Sequence, residues 1–389
     1  MNTSNKTEQH QEQFFQLLRL SMGVTEQKDF EATAEDWQWL HKEADRQSLA
    51  GVIYGAVAQL PADQQPPVDL LIQWMCKADV IKGMNKLLNQ ESARLTNLFG
   101  DAGRRTAILK GQANARLYPD KFLRQPGDID IWVEGGRDSV LALLQEEPFV
   151  SMTRERDKPI SHHAHIFVKN KTKVDVHFRP GTGNYNPFTS KRMEGWLNAE
   201  IMNTEVVEEG FNVPSVRFAL VMQLAHVQRH ILSSGIGLRQ ICDYFMLLKH
   251  STEADRRVVA ERLKSFGLRH SAGALMWVLG EVFQMDSALM LCDPDSYRGE
   301  WLLRVIMTGG NFGKYAQRRH QGLWRRFFAG KLRHLRLMPF IFWEVFWLEM
   351  KSYKGIVLTL PERIRRRSFS LGEANKRDAK KLASTKKIS

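Results

Sequence analysis

The chain has 389 residues, 43% of them hydrophobic and 25% charged, which suits two or three folded domains and excludes a wholly disordered polymer. Its formal net charge of +13 is concentrated at one end: residues 314–389 carry 20 Lys and Arg against 5 Asp and Glu, whereas residues 1–313 carry 36 against 38. Three cysteines, Cys76, Cys242 and Cys292, odd in number and far apart, argue against a disulfide framework or thiolate metal site and fit a reducing cytoplasm.

Met1–Gln13 is polar and lacks an apolar core segment, so no secretory signal is expected. Residues 12–100 have helical spacing throughout, interrupted at Gln59–Pro67, where Leu60-Pro61 and Pro66-Pro67 break the pattern. Residues 1–100 therefore read as a helical N-terminal region. No fixed-period repeat is present there or in the later helical section.

The period then changes. Thr106–Leu109 is a short β-branched and apolar run that ends in Lys110-Gly111, and Gln112–Tyr118 has helical composition up to the break at Pro119-Asp120. Strand, tight turn and helix in that order let backbone N–H groups approach a phosphate, with Lys110 and Arg124 close by in sequence as cations. Residues 127–133 read Gly-Asp-Ile-Asp-Ile-Trp-Val. Side chains alternate across a strand, so Asp128 and Asp130 share one face while Ile129 and Ile131 turn into a core. Like charges held that close call for a cation between them, which points to a hard divalent metal with oxygen ligands.

Ala164–Lys169 and Lys173–Phe178 are two alternating runs joined by Asn170-Lys171-Thr172, a hairpin in which turns of two or three residues both fit. The second run carries Asp175 and His177 on one face. A third carboxylate from a neighbouring strand would complete a two-metal cluster. His162, His163, His165 and His177 gather around the same hairpin. A histidine metal site is one reading of them; orienting a carboxylate or touching substrate, with His177 foremost, is the other. Pro180–Asn184 closes this section as a loop.

Residues 186–313 return to helical spacing. Val216–Leu232 is apolar-periodic, with His226 and His230 on one face. Either they pack or pair with Asp243, or, with Arg229, they line the side of a cleft that receives a base or acceptor. In residues 314–389, Leu335–Tyr353 is rich in Trp, Phe and Leu between basic clusters. It contains Glu344 and Glu349 and is too short to span a bilayer. Packing of Leu335–Leu348 on the body, docking on an anionic membrane surface and binding of nucleic acid are the three readings, and a polar, disordered tail is expected after about Ser368.

The order Leu109-Lys110-Gly111, Leu117-Tyr118-Pro119-Asp120, Arg124, Gly127-Asp128-Ile129-Asp130 and Val174-Asp175-Val176-His177 resembles the nucleotidyltransferase-like proteins of the DNA polymerase β superfamily. More narrowly it is similar to the branch described as uncharacterised nucleotidyltransferases. Asp36-Trp37, His226–His230, Gly237-Leu238-Arg239 and Asp243 fit that branch as well, so the resemblance spans residues 12–250. Two positions depart from the superfamily pattern: Gln112 stands where a small residue is usual, and the gap from Gly111 to Asp128 is a few residues longer.

The resemblance implies an α+β fold, with a small mixed β-sheet core at 101–185 flanked by helical regions, the second of which, 186–313, completes the cleft. It implies two Mg2+ ions, or Mn2+ in their place, held by Asp128, Asp130 and Asp175, which are also the catalytic residues. A nucleoside monophosphate would move from a nucleoside triphosphate to an acceptor. Lys110, Gly111, Gln112 and Arg124 would hold the triphosphate, and His177, His226, Arg229 and His230 would complete the binding site. The location expected is cytoplasmic or peripheral at the inner membrane surface. Rival expectations are a non-catalytic nucleotide-binding or scaffold protein of the same fold and an RNA-binding or RNA-modifying transferase that uses the basic tail.

Overall fold

Alternation of period two builds the sheet. In the computed structural model, which describes residues 3–26, 29–156, 162–168, 172–233, 235–313, 315 and 323–365, the elements run in chain order as follows. Four helices, α1 (Thr3–Ser21), α2 (Ala34–Arg46), α3 (Ala50–Val57) and α4 (Val68–Asp101), precede β1 (Thr106–Ile108), a one-turn helix α5 (Gln112–Ala115) and β2 (Ile129–Val133). Then come α6 (Gly136–Leu143), α7 (Phe149–Met152), β3 (Thr153–Arg156), β4 (His163–Val168) and β5 (Lys173–His177). After them stand α8 (Pro187–Glu200), the short strands β6 (Thr204–Val206) and β7 (Asn212–Pro214), then α9 (Val216–Leu232), α10 (Leu238–Lys249), α11 (Glu253–Ala260), α12 (Arg269–Phe283) and α13 (Ser296–Gly309).

The first five strands form one mixed sheet in the order β1-β2-β5-β4-β3, with β2 and β5 parallel and the other neighbours antiparallel. Ile129, Ile131, Ala164, Ile166, Val174 and Val176 all face one side, where they join Leu95 and Phe99 of α4, Val140 of α6 and Phe149 of α7 in a single buried core. Because side chains alternate, everything between those residues faces the other way. That opposite face carries Asp130, His163, His165, Lys173, Asp175 and His177. One sheet is thus apolar on one side and ionisable on the other.

Two strand features were not expected. β3 reads Thr-Arg-Glu-Arg, with no apolar alternation to announce it, and it is an edge strand recruited by pairing with β4. β6 and β7 lie in a stretch read as helical, and at three residues each they are too short to show a period. The 164–178 hairpin has His165 opposite Asp175 and Phe167 opposite Lys173; residues 169–171 of its turn lie outside the described residues.

The N-terminal helices fix the segment that leads into β2. Asn85 of α4 donates from its Nδ2 to the carbonyls of Phe122 and Arg124, both at 2.7 Å. Gly51 of α3 is packed so tightly on this segment that a Cβ there would lie 2.3 Å from the Leu123 carbonyl oxygen. A long loop is thereby turned into a rigid support for Asp128.

The chain divides into two compact units, residues 1–184 with 188–316, and residues 185–187 with 317–389. In the second, Leu323–Arg365 is helical except at Ile341, whose φ of −144° and ψ of 69° break the run two residues after Pro339. Leu337, Phe340, Ile341 and Val345 are buried, whereas Phe342, Trp343 and Phe346 are exposed. Among the described residues no helix is long and apolar enough to cross a membrane. The tail expected to be disordered after Ser368 falls outside them.

Candidate active site

Asp130 stands at the centre of the ionisable face. The parallel register sets it directly beside Asp175 of β5, and paired residues on neighbouring strands present side chains to the same face. His177 Nε2 lies 2.9 Å from Asp130 Oδ1, and Lys110 Nζ lies 3.2 Å from Oδ2. Burial by itself would raise the Asp130 pKa. The Lys110 charge and the His177 hydrogen bond overcome it and hold the carboxyl well below the usual carboxylate range.

Asp175 is buried and contacts His165 Nδ1 at 2.5 Å through Oδ1. Asp128 immediately precedes β2 and is half-buried. Lys173 lies between these two acids, 2.9 Å from Asp128 Oδ2 and 3.3 Å from Asp175 Oδ1. Burial opposes its charge, but the hydrogen bond and charge of Asp128, with Asp175, leave its pKa raised. The three acids expected from the sequence do gather at one place, and each has a lysine or histidine for company.

A cleft of about 280 Å³ opens beside them, with Lys110, Gly111 and Asp130 on the sheet side and Gln223, His226 and His230 from α9 opposite. Gly111 has φ 65° and ψ −106°, a left-handed conformation that favours glycine, and a Cβ there would sit 3.5 Å from the Asp128 carbonyl oxygen. Asn114 and Gln223 close the floor with two reciprocal amide hydrogen bonds of 2.9 and 2.8 Å. The rings of His226 and His230 meet edge to face, 4.3 Å between centroids. Burial, then the nearby Lys110 charge, pushes both below the ordinary histidine value, His230 to about 4, so both are neutral at pH 7.

Three expected binding residues sit differently. Gln112 is turned away from the cleft and donates to Asn89 Oδ1 of α4 at 2.6 Å, because the turn at Gly111 points the first residue of α5 back toward that helix. Arg229 donates to the Gly183 carbonyl at 3.3 Å in the loop after β5 and does not line the cleft. Arg124 does line it, but its Nε and Nη2 close on the two oxygens of Asp243, both at 2.7 Å, and the Tyr118 hydroxyl adds a third bond to that carboxylate. The fork expected for phosphate is already occupied, and Asp243 pairs with Arg124 rather than with the α9 histidines. Burial raises the Asp243 pKa and Arg124 more than reverses it.

Other residues at the cleft or beside its acids carry weaker sequence signals. Lys173 shares the period-two face of Asp175, and Gln223, His226 and His230 follow helical spacing on one side of α9. Arg239 enters only through the Gly237-Leu238-Arg239 resemblance, and Asn114, in a one-turn helix, has no comparable signal.

A small mixed sheet with acids on its open face, a glycine turn at the same cleft and helices completing the other wall define an α+β fold of the nucleotidyltransferase kind. The family model described as "Uncharacterised nucleotidyltransferase" matches residues 33–284; the chain belongs to that family, and the match takes in the sheet, the cleft and α9–α10. Among solved structures, a nucleotidyltransferase-like antigenic protein from Paracoccidioides brasiliensis is similar at 15% identity over 57% of this chain and 98% of that one, with a TM-score of 0.34. No curated protein matches the chain.

Proposed function

We propose that the protein transfers a nucleoside monophosphate from a nucleoside triphosphate to an acceptor hydroxyl or phosphate, in a metal-dependent reaction at the Asp130 cleft. The observation that carries this reading is the parallel β2–β5 register, which brings Asp175 side by side with Asp130, on the wall of a cleft already provided with Lys110 and the Gly111 turn. The donor set suits a divalent cation. Asp130, Asp175 and His177 each offer a ligand atom within 4.8 Å of the others, and the acids already gather ammonium groups. Mg2+ or Mn2+ would be held by Asp130 and Asp175 with Asp128, where it would neutralise phosphate charge and lower the pKa of the acceptor oxygen.

The chain's own groups have separable tasks. Lys110 and the Gly111 backbone take the triphosphate, and His177 orients the Asp130 carboxylate. Asp175 receives the acceptor's proton as its oxygen bonds to the α-phosphorus and the bond to pyrophosphate breaks. Arg124 acts indirectly, by pinning α10 to the loop that carries Asp128. A nucleotide sensor without turnover is the second reading, favoured by Lys173 lying between Asp128 and Asp175 where a cation would otherwise sit. For residues 314–389, the exposed Phe342, Trp343 and Phe346 among basic residues support contact with an anionic membrane surface; pelleting with anionic but not neutral vesicles is expected, and equal pelleting with both discards it.

Thermal shifts of wild type and Asp130→Asn with each nucleoside triphosphate, with and without Mg2+, test the main reading. Saturating ligand at a hundredfold over Kd stabilises by about 2.7 kcal/mol. A Mg2+-dependent shift with one nucleotide, absent in the variant, supports the site and names the donor. No shift with any nucleotide overturns it, and a shift without pyrophosphate release favours the sensor.

A further inference from the structure

The same sheet face carries a second group of donors that nucleotidyl transfer does not use. On β4, His163 and His165 both face the side of Asp175, as alternation requires, and the hairpin register sets His165 opposite Asp175 and His163 opposite His177. His165 Nδ1 lies 2.5 Å from Asp175 Oδ1. His165 Nε2 lies 3.1 Å from His163 Nε2, and His163 Nε2 is 3.7 Å from Asp175 Oδ2. Two nitrogens bound to one tetrahedral ion at its usual bond length stand about 3.3 Å apart. The spacing of the two rings is that of ligands around one ion.

We infer that His163 and His165, with Asp175, form a cation site distinct in chemistry from the carboxylate set, selective for a borderline divalent ion such as Zn2+ or Co2+ over Mg2+. Two imidazole nitrogens and one carboxylate oxygen suit such ions, whereas Mg2+ prefers oxygen alone. The three residues offer ligand atoms within 4.8 Å of one another. His163 is buried, its Nδ1 has no hydrogen-bond partner among the described residues, and its Nε2 is directed at His165 and Asp175. The site shares Asp175 with the proposed transfer reaction but needs neither nucleotide nor turnover.

The test uses the full-length protein stripped with a chelator, then titrated with Zn2+ against a chromophoric competitor in millimolar Mg2+, and separately with Co2+ followed by its visible bands. One Zn2+ per chain is expected, retained in Mg2+, with affinity reduced at least about tenfold in His163→Ala and in His165→Gln, since losing a direct ligand costs no less than losing an outer-shell partner. Zn2+ displaced by Mg2+, or bound by both histidine variants as tightly as by the wild type, overturns the inference and leaves His165 as a group that only orients Asp175. Should either variant fail to fold, electron paramagnetic resonance of wild type with one equivalent of Cu2+ decides: coupling to two imidazole nitrogens supports the site, and coupling to none refutes it. Absence of any Mg2+-nucleotide shift in the wild type, with its Zn2+ binding intact, would sink the transfer reading and spare this one.

Discussion

Two buried aspartates flank the cleft, and they are provided for in different ways. Asp243 has both oxygens met by the Arg124 fork and a third bond from Tyr118, with the two charged side chains only 7% and 6% exposed. Asp130 has one oxygen near Lys110 and the other near His177, and the lysine is 30% exposed at the cleft wall. A planar guanidinium locked on both oxygens, with the Tyr118 hydroxyl on a third lone pair, is not readily displaced by a ligand. A single ammonium on a flexible stem can swing aside. Equal burial and the same sign of pKa shift therefore mark a structural tie in one case and an exchangeable counter-charge in the other.

The largest effect that would sharpen this contrast is on activity. Asp130→Asn is expected to lower nucleotidyl transfer by about a thousandfold, roughly 4 kcal/mol of barrier, with the melting temperature nearly unchanged; comparable turnover in both proteins breaks the comparison. Arg124→Ala, by contrast, should destabilise the fold by about 3–5 kcal/mol by stranding the Asp243 charge, seen as a lowered urea midpoint. Replacing both partners, Arg124→Met with Asp243→Leu, should recover most of that loss, and failure to recover would mean that the pair serves the cleft rather than the scaffold.

Acidification separates the groups by pH window. The pKa values of His162, His163 and His230 are pushed down by burial, to about 4, about 3 and about 4. The unfolded chain then binds more protons than the folded one below the ordinary histidine value of about 6.5. Stability should be full above that value and fall as pH drops from it toward 4. The depressed Asp130 and Asp243 add a further loss only below about pH 4, the unfolded carboxylate value. Calorimetric melting between pH 7 and 3 checks the order, and a flat profile from 6.5 to 4.5 would show that the histidines titrate normally. The smallest expected change is in Lys110→Ala, a rise of about tenfold in KM for the Mg2+-nucleotide from losing one charged hydrogen bond.

Strong periodicity made much of this legible in the sequence. The period-two runs at 127–133 and 173–178 place the acids on a common face, and the bounds of α9 follow from the apolar spacing of Val216–Leu232. What escaped was set by long-range pairing. Nothing near Arg124 in the sequence reveals that Asp243, on a helix far down the chain, takes its fork, and nothing near Gln112 reveals that the glycine before it turns the side chain toward Asn89. Composition likewise gives no clue to β3, whose polar residues are strand only because β4 offers an edge.

The parallel pairing of β2 with β5 also has a bearing on how the protein reaches its working state. Parallel neighbours cannot be joined by a tight turn, and here the connection runs through residues 134–172, including α6, α7, β3 and β4. Asp130 and Asp175 meet only when that entire excursion has closed, a contact whose loop entropy is spent late. During synthesis, a chain that has emerged only through β2 has an acid without its neighbour. Under the proposed function, competence to bind nucleotide would report that the sheet is complete.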